Sequence, residues 1–366
     1  MTDEANTGAN GRRAHSPRRP TMKDVAQHAG VSVSTVSYVL NNSGPVASSR
    51  RARVLDAVRV LNYTPNDAAR SLKRRSASTI GLVVPDLTNQ FFALVTEGVE
   101  RAAAERDVLV VLCAPEATGR SDSHHAQLLQ SQRLDGVVYL AGAGTSPSLV
   151  LELAKSGPVV LVDEQIPGFE LPAVVANSRR GAREVAAYAL EHGHQRLAVI
   201  GGPTVLWTAE QRLAGYREAV AAGGIDPDSV PVFPGDYRLE SGVELARQAL
   251  DVPAKQQPTA LLCANDLMAI GALQYCRSAG IRVPEDLSIT GFDDIPISGL
   301  ITPALTTVSQ PARDMGYAAA TVLFDRLSGS GDSQQPPEPF PATLHVRDSV
   351  LPPKASDEHG PRQSRG

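Results

Sequence analysis

Between Thr21 and Tyr38 the chain reads TMKDVAQHAGVSVSTVSY, and short hydroxyl side chains crowd its second half. Ser34, Thr35 and Ser37, with Val33 and Tyr38 among them and Asn41 just beyond, have the size and polarity that fit against base edges and phosphate oxygens. Arg12, Arg13, Arg18, Arg19, Arg50, Arg51 and Arg53 flank the stretch, and Lys23 lies within it. Cations at that density neutralise a polyanion. The chemistry on offer is recognition of a nucleic acid rather than bond making.

Catalytic chemistry has no comparable cluster. The Gly-x-Gly in AGAGTSPS after Leu140 lacks the third glycine of the dinucleotide fingerprint, and neither a P-loop nor HExxH occurs. His192 and His194 sit at a helix end with no cysteine or carboxylate ligand set nearby, and His124 and His125 are adjacent on a polar helix. A surface or capping role suits both pairs. Cys113, Cys263 and Cys276 are odd in number, widely separated and free of CxxC spacing, which fits buried thiols in a reducing compartment. No enzyme, metal site or cofactor is expected.

The elements that must present the hydroxyl-rich stretch can be read from its apolar spacing. Thr21 followed three residues later by Asp24 is a capping-box start, and Met22, Val25, Ala26 and Ala29 recur at helical spacing. Gly30 can take the left-handed geometry that ends a helix. Ser32 can then cap a second helix carrying Val33, Val36, Val39 and Leu40. Two short helices around a glycine turn form a helix-turn-helix, although an ordinary helical hairpin reads the same way until the basic surround is counted. A third helix, from about Ser49 to Leu61, offers Val54, Leu55, Val58 and Leu61 to a small three-helix core.

Tyr63-Thr64-Pro65-Asn66 stops that helix, and the following DAARSLKRR is only about two helical turns, too short to be stable alone in water. It reads as a hinge that orders when DNA holds it, with Arg70, Lys73, Arg74 and Arg75 as phosphate partners. Leu72 among them could wedge into a base step in the minor groove. Taken alone, it reads more simply as packing on its own domain or a partner helix.

Charge divides the chain at the same place. Residues 1 to 76 hold 13 Lys and Arg against 5 Asp and Glu, a balance of +8 that leaves −12 on the remaining 290 of the 366 residues. A basic head on an acidic body suits a polyanionic partner for the head alone. Hydrophobic residues make up 42% and charged residues 20%, the balance of a water-soluble globular protein. Residues 1 to 20 lack the apolar core of a secretion signal, and no apolar run is long enough to span a bilayer, so a cytoplasmic location is expected.

From Thr79 strand-length apolar runs alternate with helical stretches: IGLVVPD, DVLVVLC, DGVVYL and PVVLVD, then after about Ser178 RLAVIGG, PVFPGD, TALLCAND and DLSITGFDD. That alternation predicts parallel sheets covered by helices, one of them near 122 to 132. Two α/β halves in succession imply two lobes with a cleft between them. The polar tail from about Pro352 has no apolar heptad, so a dimer is expected rather than a coiled-coil tetramer.

The chain resembles the LacI/GalR-type family of lactose and galactose repressors over about residues 21 to 350. The resemblance is carried by TMKDVAQHAGVSVSTVSYVLN, YTPNDAARSL, IGLVVPDLTNQFF, RLAGY, CANDLMAIGAL, VPEDLSITGFDD and TPALTTVSQP. It implies an N-terminal all-α helix-turn-helix DNA-binding domain, followed by an α/β two-lobed effector domain of the periplasmic-binding-protein type I fold. Within that plan residues 1–20 are a disordered basic tail, 21–64 the helix-turn-helix DNA-binding domain, 65–76 the hinge helix and linker, 77–350 the effector-binding and dimerisation domain, and 351–366 a disordered tail. The N-lobe covers about 79–177 plus 309–328, and the C-lobe about 178–308 plus 339–350. The implied function is a sequence-specific regulator, usually a repressor, that binds a pseudo-palindromic operator as a homodimer and responds to a small molecule, with a sugar first and a nucleoside second. A transporter's solute-binding protein shares the body but lacks the basic head.

The resemblance also assigns residues. Val33, Ser34 and Tyr38 fall at recognition positions, Leu72 at the minor-groove wedge and Lys73 at a flanking contact. Tyr38 stands where many members carry arginine, so a bidentate contact to guanine is lost. Phe91, Phe92, Thr208, Arg212, Tyr237, Asn265, Asp266, Asp293 and Gln310 fall at or near effector positions, at strand ends or helix starts where open α/β sheets bind ligands. Trp207 lies beside Thr208 and reads equally well as a core or surface residue. Asp163 ends a strand at the cleft rim. Ala176 stands where relatives often carry an acid.

Overall fold

A computed structural model of the chain describes residues 20–41, 46–61, 63, 79–114, 134–142, 144–145, 147–329 and 337–354. The chain divides into two compact units, Met1–Ala77 and Ser78–Gly366.

In the first unit α1 spans Met22–Ala29, α2 Val33–Asn41 and α3 Ser48–Val60. The expected capping box forms, with the Thr21 amide donating to Asp24 Oδ2 at 2.7 Å. Gly30 closes α1 at φ 61°, a conformation that costs a residue with a Cβ but not glycine. Ser32 Oγ then accepts from the Thr35 amide at 3.2 Å and caps α2. Val25, Ala26, Ala29, Val36, Val39, Val54, Ala57 and Tyr63 fill the core. Leu55 departs from the expected core set and is 51% exposed. On α3 the buried stripe runs through Val54 and Ala57, three residues apart, and Leu55 is turned about 100° off that line.

The second unit holds two parallel sheets. The first takes β1 (Thr79–Val83), β2 (Leu109–Cys113), β3 (Gly136–Leu140), β4 (Val159–Val162) and β5 (Ala173–Val174) in the order β2-β1-β3-β4-β5. Its helices include α4 (Gln90–Ala104) and α5 (Pro147–Ser156). The second sheet takes β6 (Leu197–Gly201), β7 (Val232–Pro234), β8 (Ala260–Cys263) and β9 (Ser288–Thr290) in the order β7-β6-β8-β9. Around it lie α6 (Ser178–Glu191), α7 (Trp207–Ala222), α8 (Leu239–Leu250) and α9 (Asp266–Ala279). Each sheet reverses its order beside its first strand, β1 or β6, which opens a crevice at the carboxyl ends of the strands.

After β9 the chain forms β10 (Thr307–Ser309) and returns to the first lobe as α10 (Ala312–Ser328), which packs along α4. Phe340 then bridges to Ala176 before β11 (Thr343–His345) pairs antiparallel with β10. Ala176 is thereby buried in the first lobe's core, so no side chain from this position reaches the cleft. Gly98 on α4 lies so close to α10 that an added Cβ would clash with the Arg313 carbonyl and stand 2.8 Å from the Tyr317 amide. Here glycine is required for space rather than for an unusual φ.

The first residues of the expected C-terminal tail fall within the described part of the chain. Residues 351–354 lie along the second lobe, where His194, 1% exposed, bonds the Leu351 carbonyl and Thr259 Oγ1 at 2.9 Å each. Lys354 pairs with Asp286. A buried histidine with both ring nitrogens engaged replaces the surface or capping role expected of His194. The helix expected near 122 to 132 lies outside the described residues. No described helix is long and apolar enough to cross a membrane.

Candidate functional site

On α2 the exposed positions are Val33, Ser34 and Tyr38, the first 40% and the last 50% exposed, while Val36 and Val39 are buried. Ser34 and Tyr38 are one helical turn apart and share a face. Thr35 and Ser37 are half-buried at its edge, and Lys23, Arg50 and Arg53 are exposed. Two of the four large hydrophobic side chains exposed among the described residues of the head, Val33 and Tyr38, thus lie on one helix, beside hydroxyls. Arg70, Leu72 and Lys73, and the Asn41 side chain, lie outside the described residues.

In the second unit the cleft is built from strand ends. The Asn89 side chain caps α4 by accepting from the Phe91 amide at 3.0 Å, which sets Phe91 and Phe92 in the cleft wall. Asp163 and Glu164 follow β4, Asn265 follows β8, and Asp293 follows β9. These residues, with Arg212 of α7 and Tyr237, line a cavity of about 110 Å³. That is somewhat below the ~150 Å³ that accommodates benzene, the scale of a single small ring.

Arg212 is the centre of the site. It is 2% exposed, its Nη2 stands 3.2 Å from Asp293 Oδ1, and its Nη1 donates to the Ala264 carbonyl at 2.5 Å. The guanidinium carbon lies 4.0 Å above the Phe292 ring centroid. Burial works against its charge, but Asp293, then Tyr237 and Asp163, more than offset this and hold the guanidinium above its ordinary range. Gln310 does not line the cavity; its Nε2 donates to Asp293 Oδ1 at 2.8 Å and fixes that carboxylate from behind. Asn265 is a brace as well as a wall, accepting from the Met268 amide and donating to the Tyr237 carbonyl.

Asp163, Tyr237 and Asp293 have φ of 67°, 68° and 102°, left-handed geometry that non-glycine residues seldom take. Three such residues in one cleft mark backbone held in place by its surroundings for the sake of where the side chains point.

Besides Gln310, three further candidate residues, Asp266, Trp207 and Thr208, do not line the cavity. Asp266 turns into the second lobe, accepting from the Ile295 amide, Ser298 Oγ and Thr307 Oγ1, and so braces the loop after β9. Trp207 packs half-buried against the first lobe's cluster around Tyr139 and Leu161. Thr208 donates to Glu164 through both its amide and its hydroxyl, linking the lobes. Glu164 is the buried charged residue of the cleft wall that sequence reasoning missed; Asp86, Asn89, Asp236 and Arg238 line it as well. The available signal was its place next to Asp163, directly beyond the carboxyl end of a buried strand.

Burial pushes the Glu164 carboxyl up to about 8; Asp163 adds to the rise, while Thr208 and Arg212 oppose it. Burial likewise raises Asp163 against the pull of Arg212. The neutral Glu164 side chain contributes stability that is fully present below its ordinary value of 4.5 and is lost as pH rises through about 8. Ligand-free protein is therefore expected to lose on the order of 1–3 kcal/mol between about pH 5 and 8. Glu164→Gln should flatten that decline in thermal unfolding, and an unchanged slope would exclude Glu164 as its source.

Residues 21–66 match the family described as bacterial regulatory proteins, lacI family, and residues 186–350 match a periplasmic binding protein-like domain. The HTH-type transcriptional repressor CytR of Escherichia coli (strain K12) is 36% identical over 309 residues, 84% of this chain and 90% of that protein. The chain belongs to the LacI family. The ribose operon repressor of the same strain is also 36% identical, over 86% of this chain and 95% of its own length. Among solved structures, the lac repressor dimer bound to operator and the anti-inducer ONPF superposes with a TM-score of 0.79 at 26% identity, covering 91% of this chain and 100% of that one. As a LacI-family protein the chain is a DNA-binding transcriptional repressor with a periplasmic-binding-protein-like body, and it works by binding rather than by catalysis.

Proposed function

We propose that this repressor reads a pseudo-palindromic operator as a homodimer in the cytoplasm, and that a sugar seated between its lobes sets its operator affinity. The observation that carries the ligand half is the Arg212–Asp293 pair, buried in a cavity sized for one ring and walled by Phe91, Phe92 and Tyr237. Buried polar groups fix hydroxyls, and aromatic faces cover the apolar side of a pyranose or furanose. The ribose operon repressor among its relatives fits this reading. The lac repressor solved as a dimer on operator fits the paired heads. Phe91, Phe92, Asp163, Glu164, Arg212, Tyr237, Asn265 and Asp293 form the ligand set, with Thr208, Gln310 and Asp266 supporting them. The lobes of this domain are about 79–177 plus 309–328, and about 178–308 plus 339–350.

A thermal-shift panel of sugars and nucleosides tests the ligand class, because a compound selective for the folded state raises the melting temperature. Stabilisation by nucleosides alone would remove the sugar. On the DNA side Val33, Ser34 and Tyr38 read bases, with Thr35, Ser37, Asn41, Arg70 and Lys73 as flanking contacts and Leu72 as the wedge. Leu72→Ala is expected to weaken operator binding by about 1–3 kcal/mol in a mobility-shift titration and to spare ligand binding, since only the kinked duplex uses the wedge. Unaltered operator affinity in that variant refutes the wedge.

A further inference from the structure

The cleft carries more negative charge than a neutral sugar needs. Asp86, Asp163, Glu164, Asp236 and Asp293 line it against only Arg212 and Arg238. Arg212 is engaged directly by Asp293 and the Ala264 carbonyl, and it acts on Asp163 and Glu164 only through space. There, Asp163 and Glu164 stand next to each other at 9% and 3% exposure. Glu164 is held by Thr208. Asp163 Oδ1 is buried and has no hydrogen-bond partner. Arg212 Nε and the Tyr237 hydroxyl in the same wall are unpartnered as well, so the cavity offers a bound molecule one buried acceptor and two buried donors, and leaving the carboxylate unmatched is costly.

We propose that the ligand is a single-ring polyol bearing a protonated amine, the chemistry of an amino sugar, with its ammonium group against Asp163 and Glu164. This rests on reading the cleft as the site of a sugar effector. A hydroxyl would satisfy Asp163 Oδ1 as a donor but would leave Asp163 and Glu164 sharing, through space, the one buried guanidinium that Asp293 already engages. An ammonium supplies both the donor and the charge. Phe91, Phe92 and Tyr237 stand in the wall, and the Tyr237 ring already has the Arg212 guanidinium 5.5 Å from its centroid; aromatic faces attract cations as well as stacking on sugars. A metal ion is the other way to match such a pair, and among the described residues no three side chains are grouped to hold one. In the ligand-free protein the raised Glu164 carboxyl keeps a proton where the ammonium would sit, so the ligand displaces it.

Calorimetry on the full chain tests this with glucosamine, galactosamine and mannosamine, each beside its parent hexose and its N-acetyl derivative, and with ribose. At least one amine is expected to bind about tenfold or more tightly than its uncharged counterparts, a difference of about 1.4 kcal/mol. The advantage should shrink as pH falls and the carboxyls protonate, and Asp163→Asn should remove most of it. Asparagine is chosen because it tolerates the left-handed backbone at this position. If a hexose, an N-acetyl sugar or ribose binds as tightly as any amine, the inference is overturned while the cleft remains a sugar site. If no sugar binds, charged or neutral, both readings fail.

Discussion

Arg212→Leu is expected to abolish ligand binding and to lower the stability of the body by about 3–5 kcal/mol, because it leaves the Asp293 carboxylate buried and without its cation. The side chains of both partners are almost wholly buried, at 3% and 6% exposure, so solvent does not screen the loss. Gln310 keeps its bond to Asp293 but supplies only a neutral donor. Leucine fills part of the volume beside Phe292, so the cost is electrostatic more than steric. Urea unfolding and calorimetry read the two effects separately. The double change Arg212→Leu with Asp293→Leu should recover much of the stability and none of the binding, since the buried charges are then removed together. A single variant within about 1 kcal/mol of wild type would show that water reaches Asp293 and that the pair is not the core of the site.

Gly98→Ala should be nearly as damaging by a different route. Its Cβ would meet the α10 backbone at the Arg313 carbonyl, and two packed helices cannot separate by a methyl's width without loosening the first lobe's core around Val95, Val99 and Met315. Overpacking against backbone costs about 3 kcal/mol, the upper end of what such insertions cost. Gly168→Ala is the control: its φ of 85° disfavours alanine, but nothing lies within 4 Å of the added atom, and about 1 kcal/mol is expected. Denaturation midpoints that rank Gly168→Ala as the worse of the two would mean that α4 and α10 slide apart easily, and that the close approach does not stabilise the lobe.

Much of the site's framework is legible in the order of residues along the chain. The alternation of apolar runs marks eight strands and their helices, and the carboxyl ends of those strands are where Asp163, Asn265 and Asp293 stand. The capping box at Thr21, the turn at Gly30 and the cap at Ser32 follow from residue type alone, because each is a contact between groups at most four positions apart. Such local devices can be read along the chain.

What the sequence could not show depends on contacts made across the fold. Leu55 looks as apolar as Val54, and only the angle at which α3 meets α1 and α2 leaves it exposed. Asp266 is next to Asn265, yet one helix position turns its carboxyl to Ile295, Ser298 and Thr307 and away from the cavity. Trp207 joins a cluster whose other members lie at least 32 positions earlier in the chain. His194 is buried because Leu351, far along the chain, lies over it. By itself, then, the sequence determined the two-part plan, the recognition helix and the line of strand ends, since these rest on periodicity and neighbouring residues. The tertiary structure alone decided which charges face each other. It paired Arg212 with Asp293, gave Glu164 to Thr208 and left Asp163 without a donor, because electrostatic partners are set by distance in space and by burial.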